Sequence, residues 1–170
     1  MEKKYILTEE AKEVGGHILH RIQAMRDFGG VQKGDLGGWV ESEENLSHDG
    51  DCWIFDNGRV SGNGRVSDNG EVYGNGRVSD DGWVFGNAKI GFNAYISSPR
   101  SYFVQGPIGS RNDFLTCYLD KDKKIYAVTG CFCGSIEVFV KKVKAVHGMN
   151  RWAKQYLKAA EMARVMLSGD

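Results

Sequence analysis

Between Cys52 and Ile96 the aliphatic residues Ile54, Val60, Val66, Val72, Val78, Val84, Ile90 and Ile96 recur at a strict spacing of six. Two residues before each stands a small one (Cys52, Gly58, Gly64, Gly70, Gly76, Gly82, Ala88 or Ala94), and three before stands Asn or Asp, from Asp51 and Asn57 through to Asn93. The unit is therefore [G/D]-N-G-x-V-x. Neither the period of an amphipathic helix nor the alternation of a hairpin strand gives this spacing, but a coil of short flat strands joined at corners does. The aliphatic side chain then points inward. So does the small residue, at a corner where a larger one would not fit, and Gly and Asn are expected to supply the positive φ that corners require. A Gly/Asn linker would not hold Val or Ile in register over eight periods.

The flanking segments follow other rules. In residues 1–35, Tyr5-Ile6-Leu7 opens a strand, Val14-Gly15-Gly16-His17 supplies a turn, and Ile18 to Met25 alternates as the return strand. Because a solenoid exposes apolar residues and unpaired strand edges at its ends, this hairpin reads as a cap. Val40 and Leu46 read as an earlier pair of repeats before a two-residue slip, which places the solenoid at 36–98. At Ser98-Pro99-Arg100 the period vanishes, so 99–170 forms a further domain. There the chain predicts a strand at Tyr102-Phe103-Val104, a Gly106-Pro107 turn, and strands at Phe114–Leu119 and Ile125–Thr129 around a charged turn from Asp120 to Lys124. Ser135 is a natural N-cap for a helix from Ile136 to His147, with Ile136, Phe139, Val140, Val143 and Val146 on one face and Lys141, Lys142 and Lys144 outside. A second helix, Arg151 to Leu167, is expected to bury Trp152, Tyr156, Ala159, Ala160, Ala163 and Met166.

Over Val40 to Ile96 the unit resembles the hexapeptide repeats of left-handed parallel β-helix proteins, in which three hexads make one triangular coil. The fold class implied is mainly β, a left-handed parallel β-helix of roughly three coils, with an N-terminal hairpin cap and a small C-terminal α+β domain ending in two helices. The run from Lys33 to Asp49 resembles the leader of hexapeptide-repeat proteins of bacteria and their phages. The combination of Gly109-Ser110-Arg111-Asn112-Asp113, Gly130-Cys131-Phe132-Cys133-Gly134 and a helix ending at His147-Gly148 resembles a domain of phage and prophage proteins. These resemblances imply a homotrimer and a phage-type setting. Many hexapeptide-repeat proteins are acyltransferases with an acyl-coenzyme A donor and a histidine general base at the subunit boundary, which makes acyl transfer the competing expectation.

Residues eighteen apart stack on one face of such a coil, about 4.8 Å from strand to strand. One face carries Trp53 and Phe55, Glu71 and Tyr73, and Lys89; a second carries Arg59 and Ser61, Arg77 and Ser79, Tyr95 and Ser97; a third carries Arg65 and Ser67 under Trp83 and Phe85. Trp53, Phe55, Tyr73, Trp83 and Phe85 make an apolar outer surface of the kind that packs subunits together. Arg59 and Arg77 would repel one another unless an acid or anion lies between them. A second anion site is expected at Ser110, Arg111 and Asn112, where a Gly-rich turn offers backbone N–H groups and an arginine fork; a structural turn in which Arg111 pairs with Asp113 or with an acidic solenoid corner such as Asp80 is the alternative.

Composition narrows the chemistry. Lys and Arg against Asp and Glu number 6 to 6 in residues 1–35, 4 to 10 in 36–98 and 12 to 6 in 99–170, so a net charge of zero conceals an acidic solenoid followed by a basic domain. The basic helices come without a base-stacking pattern, which argues against nucleic acid as the partner. None of the four histidines lies between Cys52 and Ile96, leaving His48 as the candidate base for acyl transfer. Cys131 and Cys133 with Cys117 and His147 make a weak zinc pattern, and no metal, cofactor, P-loop or dinucleotide motif is assigned. No secretory leader or long apolar run is read, and the four cysteines show no disulfide framework, so the expected compartment is the cytoplasm, a host's if phage-encoded. The function expected is non-enzymatic binding of an anionic, nucleotide-like ligand or a host protein, countering a host defence.

Overall fold

The side chains of Ile54, Val60, Val72, Val78, Val84, Ile90 and Ile96 are each wholly removed from solvent, as the inward assignment requires. The structure is a computed structural model and describes residues 2–169. By internal contacts the chain divides into two compact units, one ending at Pro99 and one beginning at Arg100.

In the first unit the hexads form strands of two residues: β4 (Trp53–Ile54), β5 (Arg59–Val60), β6 (Arg65–Val66), β7 (Glu71–Val72), β8 (Arg77–Val78), β9 (Trp83–Val84), β10 (Lys89–Ile90) and β11 (Tyr95–Ile96). They stack in parallel on three faces, β5-β8-β11, β4-β7-β10 and β6-β9, as a left-handed β-helix of about three turns. Backbone hydrogen bonds join successive coils, such as Phe55 N–H to Val72 O at 2.7 Å and Arg59 N–H to Gly76 O at 3.0 Å. The small-residue slot is tight: a Cβ on Gly64 would lie 3.0 Å from the carbonyl oxygens of Ser61 and Val78.

The corners differ from the sequence expectation. Positive φ falls one residue earlier than the Asn, at Gly50, Asp56, Gly62, Asp68, Gly74, Asp80, Gly86 and Phe92. Gly and Asp thus alternate from corner to corner as far as Gly86, so that Asp in one coil meets Gly in the next at 50/68, 56/74, 62/80 and 68/86, while Gly74 meets Phe92. Asp68 Oδ2 accepts the Gly86 N–H at 3.0 Å, and Asp56 Oδ2 accepts that of Gly74 at 3.4 Å. A carboxylate beside a backbone N–H at a left-handed corner explains why Asp is tolerated there.

The hairpin β1 (Tyr5–Val14) and β2 (His17–Ala24) does not merely sit at the coil end. It continues one face through β3 (Leu36–Val40), giving the sheet order β1-β2-β3-β5-β8-β11. Only the β2–β3 and β1–β2 pairings are antiparallel, so the hairpin gives the first edge a strand to bond to. Lys4, Tyr5, Phe28 and Val31 are buried beside it. Trp53 corrects an expectation here: only 1% of its surface is exposed. Its outward-facing ring is covered by Phe28 at 5.2 Å and Tyr5 at 6.1 Å, both brought over it by the cap.

In the second unit β12 (Tyr102–Ile108), β13 (Asp113–Leu119), β14 (Ile125–Thr129) and β15 (Phe132–Ser135) form an antiparallel meander. The helices α1 (Ile136–His147) and α2 (Arg151–Leu167) cover one face, with Leu115, Cys117 and Ala127 meeting Ile136, Phe139, Val143, Tyr156, Ala160 and Ala163. Ser135 caps α1 by accepting the Val138 N–H, and Asn150 caps α2 by accepting that of Ala153. Three local expectations are corrected. Gly106-Pro107 lies inside β12, where the register to β13 shifts between Gln105 and Ile108, and is not a turn between strands. Gly130–Gly134 contributes to a fourth strand paired to β14, not only a lead into the helix. Val146 and Met166 are exposed, because the buried stripes run through Phe139 and Val143 and through Tyr156, Ala160, Ala163 and Leu167, one step round each helix from them.

Candidate functional site

On the β3-β5-β8-β11 face, four residues occupy equivalent hexad positions: Trp39 pairs with Arg59, Arg59 with Arg77, and Arg77 with Tyr95. The Trp39 ring carries Lys12 Nζ over it at 3.9 Å and the Arg21 guanidinium at 5.6 Å, and Arg77 lies 5.0 Å from the Tyr95 ring. Arg59 therefore has cationic neighbours on both sides. Burial, and then Arg77 beside it, hold its guanidinium below the ordinary arginine value. Its Nε is buried without a hydrogen-bond partner, and among the described residues neither Arg59 nor Arg77 makes an ion pair. Two carboxylates of the first unit close to this face are engaged elsewhere: Glu10 lies 3.8 Å from Arg21, and Glu41, just after β3, accepts the Gly62 N–H at 2.6 Å and the His17 Nδ1–H at 2.9 Å, two bonds that lower its pKa. Two cations held in register with unused donors are a ready cradle for a carboxylate or phosphate.

The turn between β12 and β13 is built differently from the free-amide nest expected of it. The Gly109 N–H is taken by Gln155 Oε1 at 2.8 Å and the Asn112 N–H by the Gly109 carbonyl at 3.3 Å. Gly109, at φ +75°, packs so closely on the Tyr156 hydroxyl that no Cβ would fit. Ser110 and Asn112 are exposed on the turn and do not line the cavity beside it, but Arg111 does.

That cavity, about 270 Å³, lies between the β14–β15 turn and the helices. Phe132, Phe139, Val143 and Tyr156 give it an apolar wall, and Arg111, Lys142, His147 and Asp113 supply its charge or polarity. Asp113 is held in place by two backbone bonds, from Phe114 N–H at 2.8 Å and Gly130 N–H at 3.0 Å. Arg111 forms no ion pair among the described residues, so the alternative Arg111–Asp113 pairing is not seen there. Lys142 lies 5.2 Å from the Phe132 ring centroid and His147 5.9 Å from that of Tyr156. The arrangement suits an anion with a flat or apolar portion. The sequence places Lys142 only on the outer side of the helix and His147 only in the weak zinc pattern, and joins neither to Arg111, although Lys142 and Val146, one turn apart, flank the Phe139–Val143 stripe.

The remaining candidates are placed as follows. His48 is locked: its ring stacks on Tyr5 at 4.3 Å and its Nδ1 accepts the Lys4 N–H at 3.2 Å. A backbone N–H can only donate, so the ring proton is on Nε2, which faces Glu43 at 3.6 Å, and no lone pair remains for a general base. Of the aromatic surface, Trp83 and Phe85 are exposed with rings 4.8 Å apart, whereas Phe55 and Tyr73 are half-buried. Cys117 lies in the core, where burial pushes its thiol up to about 12; Cys131 and Cys133 are exposed. Among the described residues no three His, Cys, Asp or Glu side chains cluster as metal ligands, and no helix is long and apolar enough to cross a membrane.

No family model matches the chain. Over 72 residues it is 33% identical to the uncharacterized acetyltransferase YdcK of Escherichia coli (strain K12), a similarity covering 38% of this chain and 22% of that protein. The match thus spans about a fifth of the relative's length.

Proposed function

We propose that this protein holds an anionic, nucleotide-like ligand without converting it, and that it does so as a homotrimer in a phage-type setting, where removing such a ligand counters a host defence. The observation that carries the reading is the cavity in which Arg111, Lys142 and His147 stand around an apolar wall. A phosphate meets Arg111 and Lys142 while a base or other flat group meets Phe132 and Tyr156. The Arg59–Arg77 ladder is a second anion locus of the same kind. Ligand chemistry needs no proton transfer in this reading, which fits the locked ring of His48.

Acyl transfer from acyl-coenzyme A is the competing reading, favoured by the similarity to the E. coli protein. If it holds, the base is His17. A carboxylate can only accept, so Glu41 fixes the His17 proton on Nδ1 and leaves the Nε2 lone pair of a neutral ring free.

Native mass spectrometry of protein purified from expressing cells, followed by denaturation, separates the two. The binding reading expects a retained anion released chemically unchanged. Titration with adenine and guanine nucleotides then identifies its class, with Arg111→Glu plus Lys142→Glu weakening capture at least about tenfold, since each charge-assisted hydrogen bond contributes about 1.5–3 kcal/mol. Repeated release of free coenzyme A thiol from acetyl-coenzyme A, abolished in His17→Ala, would establish the enzyme reading instead. If no anion is retained or bound, a host protein becomes the ligand to seek.

A further inference from the structure

Lys4 is wholly buried, an unusual place for an ammonium group, and its Nζ lies 3.2 Å from the Cys52 sulfur. Cys52 is also wholly buried, and it occupies the slot that holds Gly or Ala in the seven following hexads. Backbone carbonyls fix the amine against the thiol: Cys52 O at 2.9 Å, Gly50 O at 3.4 Å and Asp49 O at 3.5 Å. Phe28 closes the other side, its ring centroid 5.0 Å from Nζ. Ala at this slot would satisfy the solenoid, so packing alone does not call for sulfur.

We propose that Lys4 and Cys52 are a site of oxidative cross-linking, in which one oxygen atom bridges Nζ and Sγ and ties the N-terminal cap to the first coil. From 3.2 Å, insertion of one oxygen asks less approach of the two atoms than a direct sulfur–nitrogen bond does. The oxidant is hydrogen peroxide. One molecule converts the Cys52 thiol to a sulfenic acid and leaves as water. A second takes two electrons and the two hydrogens lost from the sulfenic hydroxyl and the neutral amine, forming the N–O bond of Lys–NH–O–S–Cys and releasing two waters. Burial lowers the Lys4 pKa, with Cys52 opposing the shift, and so favours the neutral amine this step uses. Thiol reduction returns the free amine and thiol.

The experiment uses the full chain carrying Cys131→Ser and Cys133→Ser, which removes the exposed thiols. After treatment with hydrogen peroxide, intact-mass analysis without reductant should show a species one oxygen heavier and two hydrogens lighter. Peptide mapping should join Lys4 to Cys52, dithiothreitol should reverse the change, and the melting temperature should rise in the oxidised form only. Cys52→Ala should fold and lack the species. Lys4→Arg keeps a cationic donor without the reactive amine, and should oxidise at Cys52 without forming the link. Sulfinic or sulfonic Cys52 beside an unmodified Lys4 would overturn the proposal, as would a Cys52 that stays reduced until the protein unfolds.

Discussion

Val40 pairs with Val60, twenty residues on, while Val60 pairs with Val78, eighteen on. Leu46 bridges to Val66 with the same excess of two. The extra residues lie between Leu46 and Ile54, in the loop that stacks His48 on Tyr5 and turns the Asp49 and Gly50 carbonyls toward Lys4. The slip in the repeat is where the cap docks.

Deleting Asp49 and Gly50 would restore the six-residue spacing yet loosen the protein. Loss of acceptors to a buried ammonium should cost at least about 1.5 kcal/mol. Hydrogen exchange should speed up across β1 and β2 while the later coils stay protected, and unchanged protection of β1 would contradict the docking role.

Val72 is fully buried within the coil, so Val72→Asp places a carboxylate where nothing can pair with it. The penalty is several kcal/mol, comparable with the whole stability of a domain. The variant should lose its cooperative thermal transition by circular dichroism.

Phe92 holds φ +49° at a corner where the alternation would place Asp. Bulky residues bear strain there that Asn avoids. Phe92→Asn should raise stability by about 1 kcal/mol in a chemical-denaturation curve.

Alkaline pH should destabilise the protein through Cys117. Its native thiol titrates at about 12 against an ordinary value of 9.0, so above about pH 9 the unfolded chain releases a proton the native state keeps. The contribution is complete below that pH and declines as pH rises toward 12. Cys117→Ala should flatten the fall in denaturation midpoint; Tyr5, raised in the same sense by burial, supplies a remaining slope at higher pH.

The trimer proposal now rests on Trp83 and Phe85, exposed and in mutual contact, rather than on Trp53. Trp83→Ser with Phe85→Ser should sediment as a folded monomer. A wild-type chain that is already monomeric would refute the assembly.

The coil was legible because each hexad repeats the same demand: an aliphatic residue inward, a small one at the corner. The helices were legible from Ser135 and from the Phe139–Val143 spacing. What escaped reading depends on distant pairing. Trp53 has the outward phase of an exposed residue, and nothing near it announces that Phe28 will fold over it. The Arg111 turn was found, but Lys142 and His147 reach its cavity only through the packing of α1, and the Gly109 amide is claimed by Gln155, forty-six residues away. Corner φ was misplaced because Gly and Asn both suggest it, whereas the backbone assigns it to the Gly or Asp before them.

The Gly–Asp alternation at the corners sets how such a solenoid can grow. Asp recurs every twelve residues, at 56, 68 and 80, while a coil takes eighteen, so carboxylates on one edge never stack on each other in adjacent coils. Duplicating a single coil, such as residues 56–73, would set Asp56 beneath its own copy and Asp68 beneath its own, so that carboxylates repel across adjacent coils. Duplicating two coils keeps both rhythms in step. The heritable unit of this prism is therefore the pair of turns, and chains of this type should differ in length by even numbers of coils.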